Sequence, residues 1–115
     1  MKKSKIFSFL FISFFVFGML SFTANKKVIA VVFTKEMTRR DLLSLQKNLK
    51  EKNIILIFNE IKFSRKKLSY IDFSIDFGDG FSGTSKSEIT KTKEIGFVRD
   101  YNDDAEEPFV VGELK

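Results

Sequence analysis

The sequence predicts an α+β fold: a β-α-β-β start with one amphipathic helix packed on a small mixed or antiparallel sheet, following an N-terminal apolar segment. Three observations carry this. Residues 28–33 form a short, branched apolar run. Leu42, Leu45 and Leu49 then recur at helical spacing. Finally, Ile71, Phe73, Ile75 and Phe77 alternate with Asp72, Ser74 and Asp76, the period of a half-buried strand.

The chain opens with Lys2, Lys3 and Lys5, followed by the 17-residue apolar stretch 6–22 and the small residues Ser21, Thr23 and Ala24. A positive head, an apolar run and small residues at its end predict an export signal over residues 1–24. The stretch is longer than the usual signal core of about 7 to 15 residues and approaches the ~20 that span a bilayer, so an uncleaved anchor is the alternative. Either way the lysines hold the N-terminus inside, and the remaining chain lies outside the cytoplasm, in the periplasm or at the cell surface.

After residue 24, about 91 residues remain, the size of one small domain. The boundaries expected are residues 25–101 for that domain and residues 102–115 for an acidic spacer with a short apolar tail. The chain carries a formal charge of +5, but three of its twenty cations sit in the signal. The mature balance is therefore 17 − 15 = +2, too weak for a phosphate-binding surface that would point to nucleic acid. The distribution is more telling: residues 26–70 hold 12 basic and 4 acidic side chains, and residues 71–115 hold 5 and 11. Two solvated faces that attract each other weakly explain this, as does a polar surface that steers a partner.

The chain contains no cysteine and no histidine. No disulfide staples the exported domain and no lipid-bearing cysteine follows the signal. Ser-His-Asp triads, Cys-His dyads and histidine zinc sites are impossible within these residues. No catalytic, cofactor-binding or metal-binding residue is assigned, and the chain is read as non-enzymatic.

Element by element, residues 28–33 read as a strand buried on both faces, inside the sheet and not at its edge. Thr38 and Asp41 have the spacing of a shortened capping box, in which the hydroxyl takes a helix amide and the carboxylate reaches back. A helix of about fourteen residues follows, with Asn53 as a left-handed stop. Residues 54–58 resume strand character. Ile61 and Phe63 continue it out of phase with Leu56 and Phe58, so a bulge near Asn59 is needed to bring all four to one face. The basic turn 64–67 leads into the alternating third strand, which is placed centrally in the order 1-3-2. With one helix available, the other sheet face must be polar, covered by the C-terminal segment, or paired with another protein. Gly78 and Gly80 are turn residues. The Ser, Thr, Lys and Glu-rich residues 81–93 read as a mobile loop or weak edge strand, and residues 95–101 as a short final strand.

Four patterns invite sharper readings. Gly78, Gly80 and Gly83 match the glycine spacing of a dinucleotide loop, but no helix start or second β-α unit follows, so a hairpin turn explains them. Asp76, Phe77 and Gly78 spell a kinase triplet without its partner motifs. Asp100, Asn102 and Asp104 have the alternate spacing of a calcium loop, yet its glycine position is Ala105 and its glutamate position is Val111, so an acidic spacer is the reading. Asp72 and Asp76 would lie ~13 Å apart along one strand on an open face, which suits solvent and not paired acid-base chemistry.

The linear order of Lys35, Glu36, Met37 and Thr38, the helix 41–52 stopped at Asn53 and Ile54, the strand 71–75, the glycine turn and the late Glu107, Pro108, Phe109, Val110 and Val111 resembles the small extracytoplasmic modules associated with bacterial BlaR-type sensor metallopeptidases. The resemblance covers most of the mature chain and implies a non-catalytic sensory or accessory module. The peptidase motif His-Glu-x-x-His does not carry over to a chain without histidine. The expectation is a non-catalytic exported binding or sensory module of the cell envelope, with a structural envelope protein held by an uncleaved segment as the alternative. Its partner is expected to be another envelope protein or a second copy, not nucleic acid, with membrane contact only through residues 6–22.

Overall fold

The computed structural model describes residues 28–114. The export or anchor segment read at residues 6–22 lies outside them. Seven elements follow in order: β1 (Val28–Phe33), α1 (Arg39–Lys50), β2 (Ile55–Ser64), β3 (Lys67–Asp76), β4 (Ser82–Glu88), β5 (Ile95–Asp100) and β6 (Phe109–Glu113). The α+β class holds. The strands form two three-stranded sheets, ordered β1-β5-β6 and β2-β3-β4.

The expected order 1-3-2 is therefore corrected. β3 is central, but its neighbours are β2 and β4, both antiparallel to it, and β1 belongs to the other sheet. The reason is closure distance. A two-residue turn links Ser64 to Lys67, and a short glycine turn brings Ser82 opposite Asp76, so local hairpins occupy both edges of β3 before a crossover could. β1 is likewise not interior: among the described residues it is the terminal strand of its sheet, and Ala30 is exposed.

Two units divide the chain. In the larger one, spanning residues 31–97 and 109–114, Thr38 caps α1 as its spacing requires. Its Oγ1 accepts from the Asp41 amide at 3.1 Å, and the Asp41 carboxylate accepts from the Thr38 amide at 2.9 Å. Leu42 and Leu49 are buried, and Asn53 takes the left-handed conformation (φ 66°) that ends the helical path. α1 lies along β2, where the Gln46 side-chain amide donates to the Leu56 carbonyl at 2.8 Å.

β2 carries the expected bulge. Its register with β3 shifts between Phe58 and Glu60, which keeps Leu56, Phe58, Ile61 and Phe63 on the inward side. On β3, Ile71, Phe73 and Ile75 are buried, as is Phe77 just beyond it. Phe33, Phe73 and Phe97 form the centre, with ring centroids 5.0 to 6.1 Å apart, and Phe77 extends it to Phe109. Such aromatic pairs add about 0.5–1.5 kcal/mol each beyond their buried area.

Residues 82–88 are the edge strand β4 and not a loop. Their polarity is explained by what faces them. Gly83, Ser85 and Ser87 are the half-buried positions, and a Cβ built on Gly83 would come within 2.7 Å of the Val111 side chain. The apolar volume over β4 is thus supplied by β6, which forms from the apolar tail. Residues 95–100 do form a strand, but it is not the final one.

The smaller unit includes residues 28–30 and 98–108 of the described chain. Here the Pro108 carbonyl accepts from the Asp100 amide at 2.8 Å and from Arg99 Nη1 at 3.1 Å, closing the acidic loop. Arg99 also stacks over Tyr101, with 4.4 Å from its Cζ to the ring centroid.

Candidate functional site

Alternation gives the β2-β3-β4 sheet a second face, turned away from the phenylalanine centre. Cross-strand register places Ile55 beside Asp76 and Ser82, and Ile57 beside Ser74 and Thr84. The polar residues belong there, but the isoleucines do not. Ile55 is 43% and Ile57 49% exposed, although each branched side chain would gain about 1.5–3 kcal/mol from full burial. Together with Ser74, Asp76, Ser82 and Thr84 they line an open groove of about 340 Å³.

The polar floor of this face is fixed by a directional chain of hydrogen bonds. Asn59, the residue skipped by the bulge, turns its amide across the sheet and donates to Ser74 Oγ at 3.1 Å and to Asp72 Oδ1 at 3.3 Å. Ser74 Oγ donates in turn to Thr84 Oγ1 at 3.3 Å, and Thr84 Oγ1 donates to the Phe73 carbonyl at 2.8 Å. Both hydroxyl protons are thereby committed within the sheet. Among the described residues, the hydrogen bonds of the two hydroxyls run to each other, to the Asn59 amide and to the Phe73 carbonyl. The arrangement suits recognition: polar groups already paired inside the protein lose little when a partner displaces water above them.

The other sequence patterns resolve into local structure. Asp76 Oδ1 accepts from the Gly78 amide at 2.8 Å, and Asp79 Oδ1 from the Phe81 amide at 3.2 Å. These bonds, with positive φ at Gly78 and Gly80, make the glycine pattern a hairpin turn. Asp72 and Asp76 lie on the same face of β3, but one carboxylate receives Asn59 and the other the turn. Asp100 Oδ1 accepts from both the backbone and the side-chain amide of Asn102, at 3.0 and 2.8 Å, which makes it a turn residue of the acidic loop. Among the described residues, no three acidic side chains converge as a metal ion would need. No helix among those residues is long and apolar enough to cross a membrane.

The exposed pair Ile55 and Ile57 went unassigned in the sequence, where the run 54–58 reads simply as a strand with Leu56 and Phe58 inward. The signal was present in the run's continuity: if alternate residues face a core, an unbroken apolar run leaves apolar side chains on the far face. Comparison of the chain with protein-family models, with curated proteins and with solved structures gives no match.

Proposed function

We propose that the protein is a non-catalytic binding or sensory module of the bacterial cell envelope, exported through residues 1–24, that holds a protein partner on the outer face of β2-β3-β4. The observation that carries this reading is the exposed pair Ile55 and Ile57 over a floor of Asn59, Ser74 and Thr84 that hydrogen-bond to one another. A contact surface gains most where apolar side chains are available and polar neighbours need no new bonds. The resemblance to the extracytoplasmic modules of BlaR-type sensor metallopeptidases supports a sensory or accessory role, and the lack of histidine and cysteine supports a non-catalytic one. The partner is another envelope protein or a second copy of the chain.

A photoreactive amino acid at position 57 tests this in cells. The expected result is one discrete adduct in the envelope fraction, lost when Ile55 is replaced by Lys and absent when the photoreactive group stands at Lys91. Equal labelling from both positions would reject the sheet face as a binding surface.

The second reading, a structural envelope protein held by an uncleaved N-terminal segment, is favoured by the length of the stretch 6–22. Intact mass of the protein recovered from the envelope separates the two. Loss of about 24 residues supports export with cleavage, and the full mass supports the anchor.

A further inference from the structure

We propose that the tip of the β2-β3 hairpin, together with the adjoining start of α1, is a docking surface for an anionic phospholipid membrane. The inference uses other residues than the sheet face and stands apart from the reading given for it. It also extends membrane contact beyond residues 6–22.

Backbone conformation at the tip is the first observation. Arg65 and Lys66 form the two-residue turn with φ of 53° and 67°, both left-handed. Such turns favour Asn, Asp and Gly, which adopt that region with little or no penalty. Here two long cations hold it instead. Strain kept at a solvent-exposed point, where the same residues display charge, points to use of that charge.

Convergence is the second. The Leu68 amide donates to the Lys35 carbonyl at 2.9 Å, which brings the segment before α1 against the hairpin. Lys67 Nζ lies 3.8 Å from Glu36, and Arg39 Cζ lies 5.3 Å from the centroid of the Phe63 ring. Lys35, Arg39, Arg65, Lys66 and Lys67 are thus gathered from three segments at one end of the unit. Neither Arg65 nor Lys66 has an acidic partner among the described residues. Glu36 is spanned by Lys67, and Asp41 is engaged in the helix cap. A cluster of this kind attracts a surface dense in phosphate.

The third observation selects a membrane over a soluble polyanion. Leu43 is 53% exposed, four residues after Arg39, three after Arg40 and four before Lys47, so these cations flank it on the helix surface. An apolar side chain ringed by cations gains from entering the boundary between headgroups and acyl chains, and gains nothing from phosphate in water.

The absence of cysteine makes the test clean, since Ser64→Cys gives a single labelling position at the tip. The full chain carrying an environment-sensitive dye there is mixed with vesicles of phosphatidylcholine alone or with about 30% phosphatidylglycerol. Because the readout is local to the tip, it applies whether or not residues 6–22 also enter the bilayer. The expected result is a saturable dye response with the anionic vesicles only, reversed by about 0.5 M salt. The Arg65→Asn/Lys66→Gly variant, whose turn residues suit the conformation, weakens the response roughly twenty-five-fold, at about fivefold per cation. Leu43→Ser weakens it further. Equal responses with both vesicles would overturn the proposal, as would equal weakening by Lys91→Ser/Lys93→Ser, two exposed cations elsewhere. Displacement by short-chain polyphosphate at an ionic strength where sodium chloride has no effect would also overturn it, in favour of a discrete phosphate ligand.

Discussion

Gln46 on α1 closes part of the open edge of β2, its side-chain amide donating to the Leu56 carbonyl at 2.8 Å. β2 is an end strand of its sheet, and unpaired backbone groups on such a strand invite pairing with another chain. The same bond ties the helix to the sheet it covers. Gln46→Ala is expected to lower unfolding free energy by about 1 kcal/mol, the net worth of one hydrogen bond, and to promote association at high concentration. Urea unfolding with light scattering checks both; unchanged stability and scattering would show that water replaces the amide without loss.

Gly96 leaves no room for a side chain. A Cβ built there would lie 1.8 Å from the Val31 carbonyl oxygen, a backbone atom that cannot rotate away. Gly96→Ala therefore forces β1 and β5 apart beside the buried Phe97 and is expected to cost more than about 3 kcal/mol, among the largest effects of a single substitution. Gly83→Ala meets the Val111 side chain instead, at 2.7 Å, and is expected to cost about 1–3 kcal/mol. Thermal unfolding of the two variants should rank them in this order.

The basic turn predicts a stabilising change. Replacing Arg65 by Asn and Lys66 by Gly relieves two left-handed side-chain conformations, each disfavoured by about 1–2 kcal/mol in ordinary residues, and removes two neighbouring like charges. Because glycine also gains freedom in the unfolded chain, a net gain of about 1 kcal/mol is expected. A rise in the midpoint of urea unfolding checks it, and a fall would show that the cations make stabilising contacts at the tip.

Much of the local structure was legible because it depends on neighbours in the chain. The Thr38–Asp41 box, the stop at Asn53, the alternation through Phe73 and the bulge at Asn59 each follow from spacing alone. β4 was harder to read for a physical reason: Gly83 and Ser85 face β6, more than twenty residues later, whose Val111, Phe109 and Gly112 lie close above them. The candidate surface was half legible. The apolar run 54–58 contained Ile55 and Ile57, but which residues would lie beside them depended on register.

By itself, the sequence determined the α+β class, the helix α1 with its cap, the inward face of β3 and the exclusion of histidine and cysteine chemistry. All of these rest on residue type and short-range periodicity. Tertiary structure alone decided that β1 leaves β3 and joins β5 and β6, that residues 82–88 take the edge strand and not the loop of the two readings, and that cation-bearing positions from the segment before α1, from α1 and from the β2-β3 hairpin lie at one end of the larger unit. Those outcomes depend on competition between distant segments for the same strand edges, and hairpins with short closures win it.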